Sequence, residues 1–137
     1  MTVTEDQWAE LHRLAVSAME RAYCPYSKFP VGAAALVDDG RMITGCNVEN
    51  AAYGVALCAE CGLISELVNT GGGKLVAFAC VNSQSEPTAP CGRCRQLLFE
   101  HAAPELVLAM PAGRMTIDEV LPGGFGPADL DAKQEGK

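Results

Sequence analysis

Long hydrophobic runs are missing from this 137-residue sequence: apolar stretches such as Val31–Val37 and Leu75–Val81 fall far short of the roughly 18 to 20 residues a bilayer-spanning helix needs. The opening residues, Met1-Thr2-Val3-Thr4-Glu5-Asp6, lack a basic region followed by an apolar stretch, so we expect no membrane partner and a cytoplasmic location. Positive charge is scarce too. Ten Lys and Arg against 17 Asp and Glu leave a net charge of −7 and a pI near 4.7, the wrong sign for covering a phosphate backbone. Aromatics make up 6% of the chain and are not interleaved with basic residues, so no nucleic-acid partner is expected. The two histidines carry no assigned chemistry: His12 falls on the polar side of the first expected helix and His101 at a helix end. There is no internal repeat, linker or low-complexity block.

What the sequence does have is a core and an excess of cysteine. At 49% hydrophobic residues, the chain can bury one core. We expect a single domain over residues 1–130 and a polar tail over 131–137. Seven cysteines, an odd number without a secretion signal, argue against a disulfide framework and raise metal binding instead.

Apolar positions Trp8, Leu11, Ala15, Ala18, Met19 and Ala22 recur at helical spacing behind Thr4-Glu5-Asp6-Gln7, which fits a capping box. Val31–Val37 reads as a buried strand, Asp38-Asp39-Gly40 as a turn, Arg41–Cys46 as the hairpin partner and Asn47–Tyr53 as a polar loop. Leu57–Val68 is helical and stopped by Gly71-Gly72-Gly73, Lys74–Val81 is a second buried strand, and Ser83–Pro90 is a loop. Cys91–His101 is helical up to Pro104, Leu106–Met110 is a short strand, and Asp118–Leu121 is one helical turn. Alternating strands and helices imply a mixed sheet covered by helices.

Cys91 and Cys94 share one face at the start of a helix, and Cys58 opens another, where free N–H groups favour thiolates. If the two helix starts converge, three thiolates meet. Three protein ligands with one open position make a catalytic zinc site, whereas four make a closed structural one. The i+3 spacing of Cys61 from Cys58 leaves it open either as the fourth ligand or as a helix-face packing residue. Glu60, two residues after Cys58, favours the open site, because it is placed to reach a metal-bound water.

The blocks Tyr26-Ser27-Lys28-Phe29-Pro30-Val31-Gly32-Ala33-Ala34, Gly45-Cys46-Asn47-Val48-Glu49-Asn50, Cys58-Ala59-Glu60, Pro90-Cys91-Gly92-Arg93-Cys94-Arg95-Gln96 and Leu121-Pro122-Gly123-Gly124-Phe125 stand in the order found in homotetrameric zinc-dependent cytidine deaminases, which this sequence resembles from about Leu11 to Leu130. The resemblance implies a three-layer α/β/α fold with a mixed sheet of about five strands. It also implies deamination of cytidine and deoxycytidine in pyrimidine salvage, with one Zn2+ per subunit on Cys58, Cys91 and Cys94 and with Glu60 as proton shuttle. By the same resemblance Phe29 lies against the pyrimidine, Asn47 and Glu49 bond the ribose hydroxyl, and main-chain groups around Ala59 and Pro90 meet the base edge. Phe125 and the Ala51–Tyr53 loop complete a neighbouring subunit's pocket, giving a homotetramer with shared sites.

One position departs from the family pattern. The arginine that usually follows the catalytic glutamate, offsetting thiolate charge, is here Cys61. Arg93, set between the two cysteines of the second motif, is the candidate replacement cation. Two alternatives remain at this point: a deaminase of a cytosine-containing antibiotic such as blasticidin S, similar around Pro90–Gln96, and a non-catalytic module with zinc on Cys58, Cys61, Cys91 and Cys94.

Overall fold

The computed structural model describes residues 2–135. Its centre is a five-stranded sheet in the order β2-β1-β3-β4-β5, formed by β1 (Gly32–Val37), β2 (Met42–Cys46), β3 (Leu75–Val81), β4 (Ala102–Met110) and β5 (Gly113–Thr116). Only β3 and β4 run parallel; the other neighbours are antiparallel.

Every residue of β1 and β3 is buried, because helices cover both faces of the sheet. Strand alternation divides the core in two. Ala34, Leu36, Val76 and Ala79 face α1 (Glu5–Met19), whose Trp8, Leu11, Ala15 and Met19 form one cluster with them. Ala33, Ala35, Val37 and Phe78 face the other way, onto Leu63 and Leu67 of α2 (Ala59–Asn69) and Leu98 of α3 (Gly92–Glu100). The result is the expected three-layer arrangement.

Local chemistry sets the element ends. Thr4 and Gln7 form the reciprocal capping box at α1. Gly71, Gly72 and Gly73 take φ of 128°, 79° and 104°, ending α2 in a conformation that other residues resist. Gly45 on β2 permits the close approach of α2: a Cβ there would lie 2.4 Å from the Ala59 carbonyl oxygen, in the first turn of the helix.

Three features differ from the sequence reading. Strand β4 begins at Ala102, four residues before the expected Leu106, and so contains Pro104. The pairing jumps from Leu75↔Ala102 to Ala77↔Val107, so Pro104 sits in an irregular stretch where no ladder donor is required. Edge strand β5, which the sequence reading left unassigned, has little apolar patterning in Gly-Arg-Met-Thr. It is pinned by Arg114, which pairs with Glu5 at 2.7 and 2.9 Å and lies over the Trp8 ring. After the short α4 (Ile117–Val120), helix α5 runs Pro127–Glu135, so residues 131–135, read as tail, continue a helix. Pro127 suits a first helical position, and the Asp129 carboxylate accepts from the Gly126 N–H at 2.8 Å. Residues 136 and 137 of the expected tail lie outside the described residues.

Candidate active site

Both helices on the α2/α3 face start with cysteine. Cys58 is the N-cap of α2 and Cys91 the N-cap of α3, with extended backbone and no capping hydrogen bond from either side chain. Cysteine is not among the residues favoured at N-caps, where Ser, Thr, Asp and Asn satisfy the free amides. The two thiols are thus held at helix ends without being used to close them.

The helix ends converge, which is the condition for the three thiols to meet. The sulfurs of Cys58, Cys91 and Cys94 lie within 4.8 Å of one another and are the group of potential metal ligands among the described residues. Cys61 is outside that group. Its thiol instead receives a hydrogen bond from Arg93 Nη2 at 3.3 Å, and the same nitrogen stands 3.8 Å from Cys58 Sγ. The four-sulfur alternative therefore lacks its fourth member, and the cation expected near the thiolates is present. Three soft sulfur donors with one position free suit a zinc ion with an exchangeable ligand.

Electrostatics differ among the three thiols. Burial pushes Cys58 upward, against hydrogen bonds from Cys94 and Arg93. Burial also raises Cys94, helped by the Glu60 carboxylate beside it. For Cys91 burial is outweighed by the nearness of the Cys94 and Arg93 amides and of the neighbouring thiols, and the group falls below its usual value. Of the three, Cys91 alone is held below its usual value.

Glu60, in the first turn of α2, is 2% exposed and is the buried charged residue of the described core. Burial raises its carboxyl above the usual range, with the Cys94 thiol opposing. It lines a cavity of about 160 Å³ with Cys58, Cys91, Ala59, Phe29 and Asn47, and Thr88–Pro90 form one wall. Cys80 sits at the same cavity but is 1% exposed and donates to the Thr88 carbonyl at 3.1 Å, in keeping with a core residue.

Asn47 and Glu49 have structural work as well. Asn47 Oδ1 accepts from the Val31 N–H at 2.8 Å and its Nδ2 donates to the Phe29 carbonyl at 3.0 Å. Glu49 Oε1 accepts from the amides of Tyr26 and Ser27 at 3.0 and 3.1 Å, and the Ser27 hydroxyl and amide hold its carboxyl below the usual range. The pair braces the segment carrying Phe29, and the spare lone pairs of the Glu49 carboxylate and one Asn47 N–H remain beyond these bonds. Sequence reading assigned these residues to sugar binding and had no signal for the bracing.

Glu49 and Tyr53 line a separate groove of about 320 Å³ with Tyr26, whose ring meets that of Tyr53 edge-on at 6.3 Å. Tyr53 is 78% exposed and Phe125 58% exposed, so neither closes the Glu60 cavity of its own chain.

A family model described as the cytidine and deoxycytidylate deaminase zinc-binding region matches residues 5–110. The cytidine deaminase of Mycobacterium tuberculosis is 52% identical over 123 residues, covering 90% of this chain and 92% of the relative. That of Halalkalibacterium halodurans is 41% identical over 85% of this chain and 92% of the relative. The crystal structure of cytidine deaminase from Mycobacterium leprae superposes with a TM-score of 0.82 at 56% identity, covering 84% of this chain and 97% of its own. Zinc is accordingly the metal that the cysteine cluster is built to hold. A family match over residues 5–110 and relatives alike over most of the chain extend well beyond the metal motif, and the chain belongs to the cytidine and deoxycytidylate deaminase family.

Proposed function

We propose that this enzyme hydrolyses cytidine and deoxycytidine to uridine and deoxyuridine, releasing ammonia, as a step of pyrimidine salvage. The observation that carries the reading is the cluster of three thiols within 4.8 Å beside a buried glutamate. Cys58, Cys91 and Cys94 hold the zinc, one per subunit. When bound, zinc makes water a stronger acid, as in carbonic anhydrase, where its pKa falls from 15.7 to about 7.

The side chains of the chain do the rest. Glu60 accepts one proton of the attacking water and delivers it to the ring nitrogen; it then takes the remaining proton of the added hydroxyl, leaving the product carbonyl, and passes it to the amine, which departs as ammonia. Its raised affinity for a proton suits both halves of that task. Phe29, at the cavity edge, lies against the pyrimidine, and main-chain groups of Ala59 and Pro90 meet the base edge. Asn47 and Glu49 bind the ribose with the acceptor and donor their bracing leaves free. Arg93 offsets the net negative charge of three thiolates on one zinc.

The working unit is a homotetramer with shared pockets, each subunit a single domain. A cavity of about 160 Å³ is below the roughly 300 to 1,000 Å³ usual for ligand sites. Tyr23, Tyr26, Tyr53, Val55 and Phe125 stand exposed as apolar surface for a second copy. The placing of Tyr53 and Phe125 in a neighbour's pocket belongs to this proposal. All seven cysteines are unpaired, which supports a reducing cytoplasm, and no helix among the described residues is long and apolar enough to cross a membrane.

The test is the ultraviolet change of cytidine with purified protein, run beside Glu60→Ala at equal zinc content. Conversion by the parent alone supports reaction and shuttle together. No conversion by a zinc-loaded oligomer overturns the reading.

A further inference from the structure

Helix α3 carries more than a zinc ligand. Arg95, half-buried and next to Cys94, reaches in two directions. Its Nε donates to the Pro90 carbonyl at 2.9 Å, and its Nη1 donates to the Val120 carbonyl at 3.0 Å. Gln96 Nε2 then donates to the Phe125 carbonyl at 2.7 Å. One turn on, the Phe99 ring lies so close under Gly126 that a Cβ there would come within 2.8 Å of it. Three side chains of one helix therefore hold the stretch from Val120 to Gly126, and one of them also holds the peptide leading into Cys91.

We propose that Arg95 is a positioning residue that couples zinc occupancy at Cys91 to the ordering of the Val120–Phe125 segment. The Pro90 carbonyl belongs to the Pro90–Cys91 peptide, so holding it orients the peptide plane from which the Cys91 side chain departs. Cys91 is exposed and its thiol closes no helix cap. Upstream, the loop is tied to β3 where Thr88 exchanges hydrogen bonds with Cys80; at the Pro90–Cys91 step, zinc at the sulfur and Arg95 at the carbonyl add two more restraints.

With zinc bound, the carbonyl is presented to Arg95 in one geometry. The rigid guanidinium fork then directs its other N–H to Val120, the last residue of α4. Linkage makes the effect reciprocal: if zinc orders the segment, the ordered segment tightens zinc. A lysine in the same place keeps the charge but has no fork with which to bridge the two carbonyls.

This inference rests on zinc being held by Cys58, Cys91 and Cys94, which the zinc content of the parent tests separately. The experiment is hydrogen exchange of the parent with and without zinc, repeated on Arg95→Lys and Arg95→Gln, with zinc affinity measured by chelator competition. Zinc is expected to slow exchange over Leu121–Phe125 in the parent and to lose that effect in both variants, with exchange in α1 alike in all three proteins. Zinc affinity should fall roughly 10- to 100-fold, as for other residues that orient metal ligands.

Zinc that binds the parent without changing exchange over Leu121–Phe125 overturns the coupling and leaves the zinc site standing. So do folded variants that hold zinc as tightly as the parent. A parent that binds no zinc overturns both. Should the glutamine variant fail to fold, the lysine variant and the parent comparison still decide.

Discussion

The guanidinium of Arg93 lies against the thiol of Cys61, with Nη2 3.3 Å from Sγ, and the same nitrogen reaches Cys58 Sγ at 3.8 Å. A cation contributed by α3 thus lies beside two thiols of α2 and its N-cap. The Cys58 thiol is the main partner that strengthens the hold of Arg93 on its proton.

Arg93→Ala should keep its zinc and its fold but lose turnover at neutral pH. With the cation gone the site is more negative and holds protons more tightly, so the acid limb of the pH–rate profile should move to higher pH. Steady-state rates across pH, at equal zinc content, check this. Unchanged rates and an unchanged profile would remove Arg93 from the machinery.

Cys61→Ser should retain one zinc per chain, because Cys61 stands outside the three-sulfur group. Metal analysis after exhaustive dialysis is the measurement. Loss of zinc with unfolding would restore the four-cysteine structural module.

Glu60→Gln should be more heat-stable than the parent when both are metal-free at neutral pH. The folded protein raises the Glu60 carboxyl above its usual 4.5, chiefly by burial. Between the unfolded and folded values the unfolded chain binds fewer protons, so this group costs stability as pH rises past 4.5. The advantage of the glutamine should therefore vanish below that pH. Melting curves of both proteins over a pH series read it directly.

Zinc affinity should rise with pH. Cys58 and Cys94 are both held above their ordinary value by burial, so metal binding must expel their protons. The same shift predicts that metal-free protein loses stability as pH rises past 9.0, the usual thiol value, and that zinc removes this loss. Chelator competition and melting at several pH values test the two halves.

Gly45→Ala should disturb catalysis as well as stability. The new methyl would stand 2.4 Å from the Ala59 carbonyl and 2.6 Å from the Leu63 amide, so α2 must shift off β2. Overpacking of this kind costs about 1 to 3 kcal/mol. The shift also displaces the first turn that carries Glu60, so kcat should fall further than a distant change of equal stability cost. A surface-neutral destabilising variant matched in melting temperature is the control.

Much of this protein is written locally. The Thr4 and Gln7 capping box, the apolar runs of β1 and β3, and the Gly71–Gly73 stop are decided by residues within a few positions of one another, and they were readable as such. So were the cysteine spacings and the Cys58-Ala59-Glu60 order, because ligands three apart share a helix face whatever the fold. Decisions between distant segments were not readable. That Cys61 stands outside the metal group and meets Arg93, 32 residues away, is a matter of how α2 and α3 pack. The extent of β4 past Pro104 depended on a register jump against β3, and the helix at Pro127–Glu135 on capping contacts in a segment with weak apolar patterning. Asn47 and Glu49 brace the Phe29 segment only because the sheet and its loops bring Tyr26–Val31 beside them. Sequence determines which groups are available and which neighbours along one element share a face. Tertiary structure decides which of them meet across elements, and hence which thiol finds a metal partner and which finds an arginine.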